Sequence, residues 1–213
     1  MKCLILGSGL SSSQKENMDL NDYFIIAVNN AWRIFENEWF HLWFHSGDFQ
    51  KHSWPTQKNY AFEVGYFGSK ECFEKISEAE EWPYNPQRPA MHIGLNVFFC
   101  VMYWAIYNIK PQQIDLLGFD FDYNKEKVDI WKKIPTKFPT DKFLQESGLT
   151  IDQWYKQNFG ELNDTVYGMG TPDASRFSPE YMKEKMLLLK GYAEKYGVKI
   201  TNLSKRGSAV NIF

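Results

Sequence analysis

Short apolar runs that stop at small or polar residues recur along the chain, and each run predicts a strand of a sheet. The first run covers residues 2–6, Lys-Cys-Leu-Ile-Leu, and stops at Gly7. Runs this short, without alternating polar residues, are typical of strands buried on both faces in a parallel sheet. The same pattern predicts five further strands, at 23–28, 39–44, 61–67, 113–117 and 198–203.

Two long helical patterns fall between these strands. One runs from residue 89 or 90 to residue 108 and is apolar nearly all round, which predicts a helix buried against the sheet, with its first turn at 91–94 near the strand ends. The other covers 179–196 and ends at Gly197, a residue type common just after a helix. Strands that alternate with helices predict an α/β fold with a mostly parallel sheet and helices on both faces.

Residues 124–175 interrupt this alternation. The segment carries three prolines and a lysine-rich start, and it offers two short helical patterns, at 141–147 and 151–159. A long connection of this kind is uncommon without a functional role. We therefore expect a single domain over residues 1–213, with 124–175 inserted as a lid or acceptor-binding segment.

Charge and composition narrow the choice of partners. The chain has 24 basic and 26 acidic residues, and its formal charge of −2 gives no general attraction to nucleic acid. No apolar run approaches the roughly 18 residues that a membrane span requires, and the N-terminal run is too short for a signal peptide. We expect a cytoplasmic protein with no membrane span and with its three cysteines buried and reduced.

The candidate chemistry lies where the predicted strands end, because open parallel sheets bind ligands at the carboxyl ends of their strands. Glycine lets backbone amides approach a phosphate, serine hydroxyls donate to its oxygens, and asparagine both donates to and accepts from a base or ribose. The first of these loops lacks the third glycine of a dinucleotide fingerprint and the lysine of a Walker loop, so a tight strand-to-helix turn is the alternative. The candidate nucleotide-binding residues at the strand ends are Gly7, Ser8, Gly9, Ser11, Asn29, Asn30, Gly118, Asp120 and Tyr123.

Two pairs of titratable residues also follow predicted strands. His45 and Asp48 bring a histidine and a carboxylate together as candidates for a general base, although a polar loop with Asp48 in an Asx turn is the alternative. Asp120 and Asp122 face the same side if the backbone stays extended, which suits a divalent ion or a pair of sugar hydroxyls. If the backbone turns, the pair has no shared role. His41 lies inside a strand and is predicted to be a hydrogen-bonded core residue.

The order of these motifs resembles the superfamily that joins the bacterial family-42 sialyltransferases with the archaeal 6-hydroxymethylpterin pyrophosphokinases. The resemblance covers most of the chain except the insert. It implies a Rossmann-like fold with a lid, which binds CMP-sialic acid in one branch and ATP with magnesium in the other. The segments that carry it are 5–12 (Ile-Leu-Gly-Ser-Gly-Leu-Ser-Ser), 26–32 (Ile-Ala-Val-Asn-Asn-Ala-Trp), the helix from His92, 114–121 (Ile-Asp-Leu-Leu-Gly-Phe-Asp-Phe) and 198–213.

The resemblance also implies roles by position. The sialyltransferases place a general-base histidine after the lid, whereas residues 165–181 of this chain contain none. The candidate general base in this chain is His45 or Asp48, the histidine and carboxylate that follow a predicted strand together. The implied roles are phosphate or activated-sugar contact for Ser8 and Ser11, donor contact for Asn29 or Asn30, nucleotide ribose contact for the segment from His92 to Gly94, and closure of the site for Asp120 and Tyr123.

Three functions are compatible with these residues. The one we expect is a nucleotide-dependent transferase, specifically a glycosyltransferase that moves a sugar from a nucleotide-activated donor to a glycan or small-molecule acceptor and requires no cofactor. The second is a pyrophosphokinase that uses a nucleoside triphosphate, with magnesium held by Asp120 and Asp122. The third is a non-catalytic nucleotide-binding module.

Overall fold

The computed structural model contains the predicted parallel sheet. It describes residues 1–35, 38–47, 54–55, 58–94, 96–120, 141–150, 153, 157, 163–165, 168–169 and 179–204. A six-stranded sheet is parallel throughout, and a separate antiparallel pair forms from β6 and β7. The strands are β1 (Lys2–Leu6), β2 (Tyr23–Val28), β3 (Phe40–His45), β4 (Tyr60–Gly65), β5 (Gln113–Leu117), β6 (Asn163–Thr165), β7 (Gly168–Met169) and β8 (Lys199–Asn202).

The strand order β4-β3-β2-β1-β5-β8 places β1 near the middle of the sheet. The chain builds outward from β1 through β2, β3 and β4, and then returns to the other side of β1 with β5 and β8. The order therefore reverses between β1 and β5. At such a switch point the connecting loops diverge, which opens a crevice at the carboxyl ends of the strands.

Helices cover both faces of the sheet, as predicted. On one face, the helices contribute Phe73, Phe99 and Met186 to a core that includes Ile5 and Ile26 of the strands. The other face is covered by short 3-10 helices that follow β1 and β2. The α-helices are α1 (Lys70–Ala79), α2 (Val97–Asn108), α3 (Asp141–Ser147) and α4 (Pro179–Lys195), and the 3-10 helices are Leu10–Asn17, Asn29–Phe35 and Phe67–Ser69.

The start of α2 corrects a prediction. We expected a helix from residue 89 or 90 with its first turn at 91–94, but these residues form turns and the helix begins at Val97. Gly94 has φ +103, which an α-helix does not contain. Asn96 then caps the helix by accepting a hydrogen bond from the Phe98 amide at 2.9 Å. The predicted end at Asn108 is confirmed.

The remaining predictions about helices, the membrane and the cysteines have mixed outcomes. Helix α1 was not predicted, and the connections after β1 and β2 are 3-10 rather than α-helical. Within the segment 124–175, α3 is confirmed, whereas most of the predicted helix 151–159 lies outside the described residues. No helix in the described part of the chain is both long and apolar enough to cross a bilayer. All three cysteines are buried and free.

Candidate functional site

The glycines after β1 and β5 hold the two strand ends together at the switch point. The Gly7 amide donates to the carbonyl of Leu117 and the Gly9 amide to the carbonyl of Gly118, both at 2.8 Å. A Cβ on Gly7 would lie 2.5 Å from the Gly118 carbonyl oxygen, and Gly118 itself has φ +76. Close strand approach and a left-handed backbone therefore explain glycine at Gly7 and Gly118 without a ligand.

Asp120 joins three segments at the same place. One carboxylate oxygen, Oδ2, accepts a hydrogen bond from the Ser11 amide at 3.1 Å, and the other, Oδ1, accepts from the Ser204 hydroxyl at 2.6 Å. The Ser11 hydroxyl in turn accepts from the Gly118 amide at 2.9 Å. The loops that follow β1, β5 and β8 are thus linked through one carboxylate at the crevice.

The two asparagines that follow β2 have different environments. Asn29 has φ 48, its carbonyl accepts from the Trp43 indole at 3.0 Å, and its side-chain oxygen accepts from the Ser46 amide at 2.8 Å. Asn29 therefore fixes the ends of β2 and β3. The Oδ1 atom of Asn30 is buried, and no atom of the described residues bonds to it. A buried acceptor without a partner costs about 1–3 kcal/mol, and a donor brought to this oxygen by a ligand would remove that cost.

His45 ends β3 in an aromatic environment beside a carboxylate. Its ring stacks on Trp43 with centroids 4.6 Å apart, and Trp54 lies 5.1 Å away. The Nδ1 atom lies 3.1 Å from the Ser46 carbonyl oxygen, and Nε2 lies 3.5 Å from a carboxylate oxygen of Glu63. The side chain of His45 is 14% exposed.

Glu63 was not among the predicted site residues. It lies on β4, the strand next to β3, and its side chain is 38% exposed. A carboxylate inside an otherwise apolar strand run was the available signal, but only the strand pairing places it beside His45. Asp48, the predicted partner of His45, lies outside the described residues.

The described contacts of His92 and Gly94 are with the helix layer. The His92 ring lies 5.1 Å from Trp82. Burial lowers the pKa of His92, and the nearby Lys185 ammonium of α4 lowers that pKa further. A Cβ on Gly94 would lie 2.6 Å from the Phe99 ring. None of these contacts joins either residue to the strand-end group, and the predicted ribose contact stays a prediction.

The predicted magnesium pair is described in part. Asp120 is placed at the switch point, whereas Asp122 and Tyr123 lie outside the described residues. Within the described ranges, no three histidine, cysteine or acidic residues converge as a metal-binding group. Within the predicted pair, Asp120 is the described residue, and its two carboxylate oxygens are of the kind that magnesium binds. Both oxygens already accept hydrogen bonds within the protein.

The predicted strand-end residues Gly7, Ser8, Gly9, Ser11, Gly118 and Asp120 thus lie together at the β1–β5 switch point, with Asn29, Asn30 and His45 following the neighbouring strands β2 and β3. Comparison with protein-family models, with curated proteins and with solved structures finds no match. The function must therefore be argued from the geometry of this strand-end group.

Proposed function

We propose that the protein is a nucleotide-dependent transferase that moves a sugar from a nucleotide-activated donor to a glycan or small-molecule acceptor. The observation that carries the proposal is the buried, unpartnered Oδ1 of Asn30 at the carboxyl edge of the sheet. Parallel sheets bind nucleotides at this edge, and bases and riboses supply the amine and hydroxyl donors that such an oxygen accepts. The order of the strand-end motifs, which resembles the sialyltransferase superfamily, supports the same class.

His45 is the proposed general base. With a proton on Nδ1 donated to the Ser46 carbonyl, Nε2 is left as the acceptor for a substrate proton. In the transfer, the acceptor hydroxyl oxygen bonds to the anomeric carbon while the bond from that carbon to the nucleotide phosphate oxygen breaks. His45 Nε2 takes the hydroxyl proton, and the nucleotide leaves with the electron pair of the broken bond.

Glu63 stabilises the imidazolium that this proton transfer forms. Its carboxylate lies 3.5 Å from Nε2, an ion-pair distance once the ring is charged. The stacked Trp43 ring restricts the orientation of His45.

Thermal unfolding in the presence of CMP, CDP, UDP, GDP or ATP, each with and without magnesium, tests the nucleotide site. A ligand at a hundred times its dissociation constant stabilises the folded protein by about 2.7 kcal/mol. A metal-independent shift with a sugar-carrier nucleotide supports the proposal. A shift confined to ATP with magnesium favours the pyrophosphokinase, and no shift with any of the five contradicts a nucleotide site.

Two variants connect the binding to the residues. Asn30→Leu removes the buried orphan oxygen at similar volume, so we expect unchanged or higher stability without ligand and loss of the nucleotide shift. His45→Gln should retain the nucleotide shift and lose sugar transfer or sugar-nucleotide hydrolysis. His41→Gln is the matched control, since His41 lies on the same strand and its Nδ1 accepts from the Ile25 amide inside the sheet. Binding without turnover in the unmutated protein would instead indicate the non-catalytic module.

A further inference from the structure

We propose that Asp120 is a specificity-determining residue: its carboxylate occupies the anion-binding position of the loop 7–12, excludes phosphate from that loop and selects an uncharged ligand group that donates hydrogen bonds. The class of ligand, the sugar or nucleoside part of an activated sugar, rests on the proposed function. The exclusion of phosphate rests on the geometry of the loop alone.

Four of the six backbone amides of the loop 7–12 already donate hydrogen bonds within the protein. A phosphate-binding loop directs several free amides toward the anion. Here the amides of Gly7, Gly9 and Ser12 donate to backbone carbonyls at 2.8, 2.8 and 3.0 Å. The amide of Ser11 donates to the Asp120 carboxylate at 3.1 Å. Four of the six backbone donors of this loop therefore serve the protein itself.

The charge at this position is negative and held in place. The Ser204 hydroxyl donates to the second carboxylate oxygen of Asp120, and a Cβ on Gly9 would lie 2.7 Å from the first. Lys15 does not offset this charge, because its ammonium is buried, lies 2.6 Å from the Glu38 carboxylate and sits over the Phe35 ring. A phosphate on this loop would meet a fixed like charge at short range.

The groups of this site that can still form hydrogen bonds are acceptors. Each carboxylate oxygen of Asp120 has lone-pair capacity beyond the one hydrogen bond described for it. The unpartnered Oδ1 of Asn30 lies after β2, on the opposite side of β1 from β5. Acceptors therefore follow both strands that neighbour β1. Hydroxyl and amine groups satisfy such acceptors, and phosphate oxygens do not.

Asp120→Asn tests the exclusion because it removes the charge and keeps an oxygen for Ser11 and an amide for the Ser204 oxygen. Thermal unfolding and calorimetry with inorganic phosphate, at constant ionic strength set with chloride, should show no specific binding to the unmutated protein. We expect Asp120→Asn to bind phosphate with a dissociation constant at least about tenfold below the highest phosphate concentration at which the unmutated protein shows no binding. Equal phosphate binding by the two proteins would overturn the exclusion.

Two control variants separate charge from structure. Ser204→Ala removes a hydrogen bond to Asp120 but keeps its charge, so we expect lower stability and no gain in phosphate binding. Asp115→Asn neutralises a buried carboxylate on β5, the strand that precedes Asp120, which accepts hydrogen bonds from Tyr23 and Gln113, and should likewise gain nothing. A gain in either control equal to that in Asp120→Asn would show a general charge effect and contradict a specific role for Asp120.

A measurement on the unmutated protein covers the case in which Asp120→Asn does not fold. If phosphate slows hydrogen exchange of the Ser11 and Gly9 amides in the unmutated protein, the loop binds phosphate and the inference is wrong; unchanged exchange supports it.

The selection of an uncharged ligand group is tested with cytidine, uridine, guanosine and adenosine. We expect Asp120→Asn to lower the affinity for the most tightly bound of these nucleosides by about tenfold. Equal binding would refute the selection. If no nucleotide or nucleoside binds either protein, the proposed function fails, whereas a phosphate gain in Asp120→Asn still supports the exclusion.

Discussion

Replacement of Gly118 by alanine gives the most direct test of how the switch point is built. Gly118 has φ +76, and a Cβ added there would overlap the carbonyl oxygen of Gly7 and lie 2.9 Å from Cβ of Ser12. The obstructing atoms of Gly7 belong to the backbone, so rotation of a side chain cannot remove that overlap. The ends of β1 and β5 must separate.

Gly118→Ala lowers the free energy of unfolding in two ways. A left-handed backbone costs an alanine about 1 kcal/mol relative to glycine. Separation of the strand ends also weakens three hydrogen bonds, from Gly7 to Leu117, from Gly9 to Gly118 and from Gly118 to Ser11. At a net of about 1 kcal/mol each, loss of two or three of them brings the total to about 3–4 kcal/mol.

Urea unfolding followed by far-ultraviolet circular dichroism measures this loss as a fall in the free energy of unfolding. Gly197→Ala is the matched control, since Gly197 has φ +69 and nothing lies within 4 Å of its added Cβ. We expect about 1 kcal/mol for Gly197→Ala and at least twice that for Gly118→Ala. Equal losses would show that the strand ends do not approach as closely as described.

Three further changes have defined outcomes. Burial lowers the pKa of His41, whose Nδ1 accepts from the Ile25 amide. As the pH drops through about 6.5, the unfolded chain therefore takes up a proton before the folded protein does, and the free energy of unfolding falls. Urea titrations at pH 7 and pH 5.5 should show a smaller fall in that free energy for His41→Gln than for the unmutated protein. Burial and then the bonded Asp115 carboxylate raise the pKa of Tyr23 to about 12, so Asp115→Asn should lower that pKa, measured as the ultraviolet ionisation signal that Tyr23→Phe removes. Asn96→Ala should cost about 1 kcal/mol in urea unfolding through loss of the α2 cap, and no loss would contradict the capping bond.

The sequence predicted strands best where burial is complete. The bounds of β1, β2 and β5 agree with prediction to the residue, and most of their residues are buried. The predicted bounds of β3 and β4 are displaced by one or two residues at ends marked by Trp39 and Phe67, whose exposed fractions are 58% and 65%. An apolar pattern reports hydrophobicity but not exposure, so exposed aromatic residues extended the predicted strands.

Two errors in the predicted helices have different causes: helix α1 was missed, and the start of α2 was predicted several residues too early. Helix α1 buries Cys72, Phe73 and Ile76, a helical spacing that was present in the sequence but diluted by charged residues on the outer face. The predicted start at residue 89 or 90 followed hydrophobicity through a segment that is not helical, because the positive φ of Gly94 interrupts it and the Asn96 cap sets the start of the helix at Val97. A single glycine or capping residue can therefore set a helix boundary inside a long apolar pattern.

The candidate site could be located from the sequence but not assembled from it. Strand-end positions identified Ser11, Asp120 and Asn30 because loops at the carboxyl edge share a known place in the fold. The hydrogen bonds that define their chemistry connect residues 109 and 84 positions apart, from Ser11 to Asp120 and from Ser204 to Asp120. Pairing at that separation depends on strand order, which a local pattern does not contain.

The loop after β1 shows why glycine alone is a poor guide to the ligand. Gly7 is required by the approach of Gly118, and Gly9 leaves space for the Asp120 carboxylate. Both glycines would also be expected in a phosphate loop, yet here the space that they open is filled by the protein's own anion. Under the function proposed above, any phosphate of the ligand would be held away from this loop, while Asp120 and Asn30 would accept hydrogen bonds from its uncharged part. The feature that distinguishes this loop from a phosphate loop is therefore the carboxylate of Asp120 after β5, which accepts from the Ser11 amide.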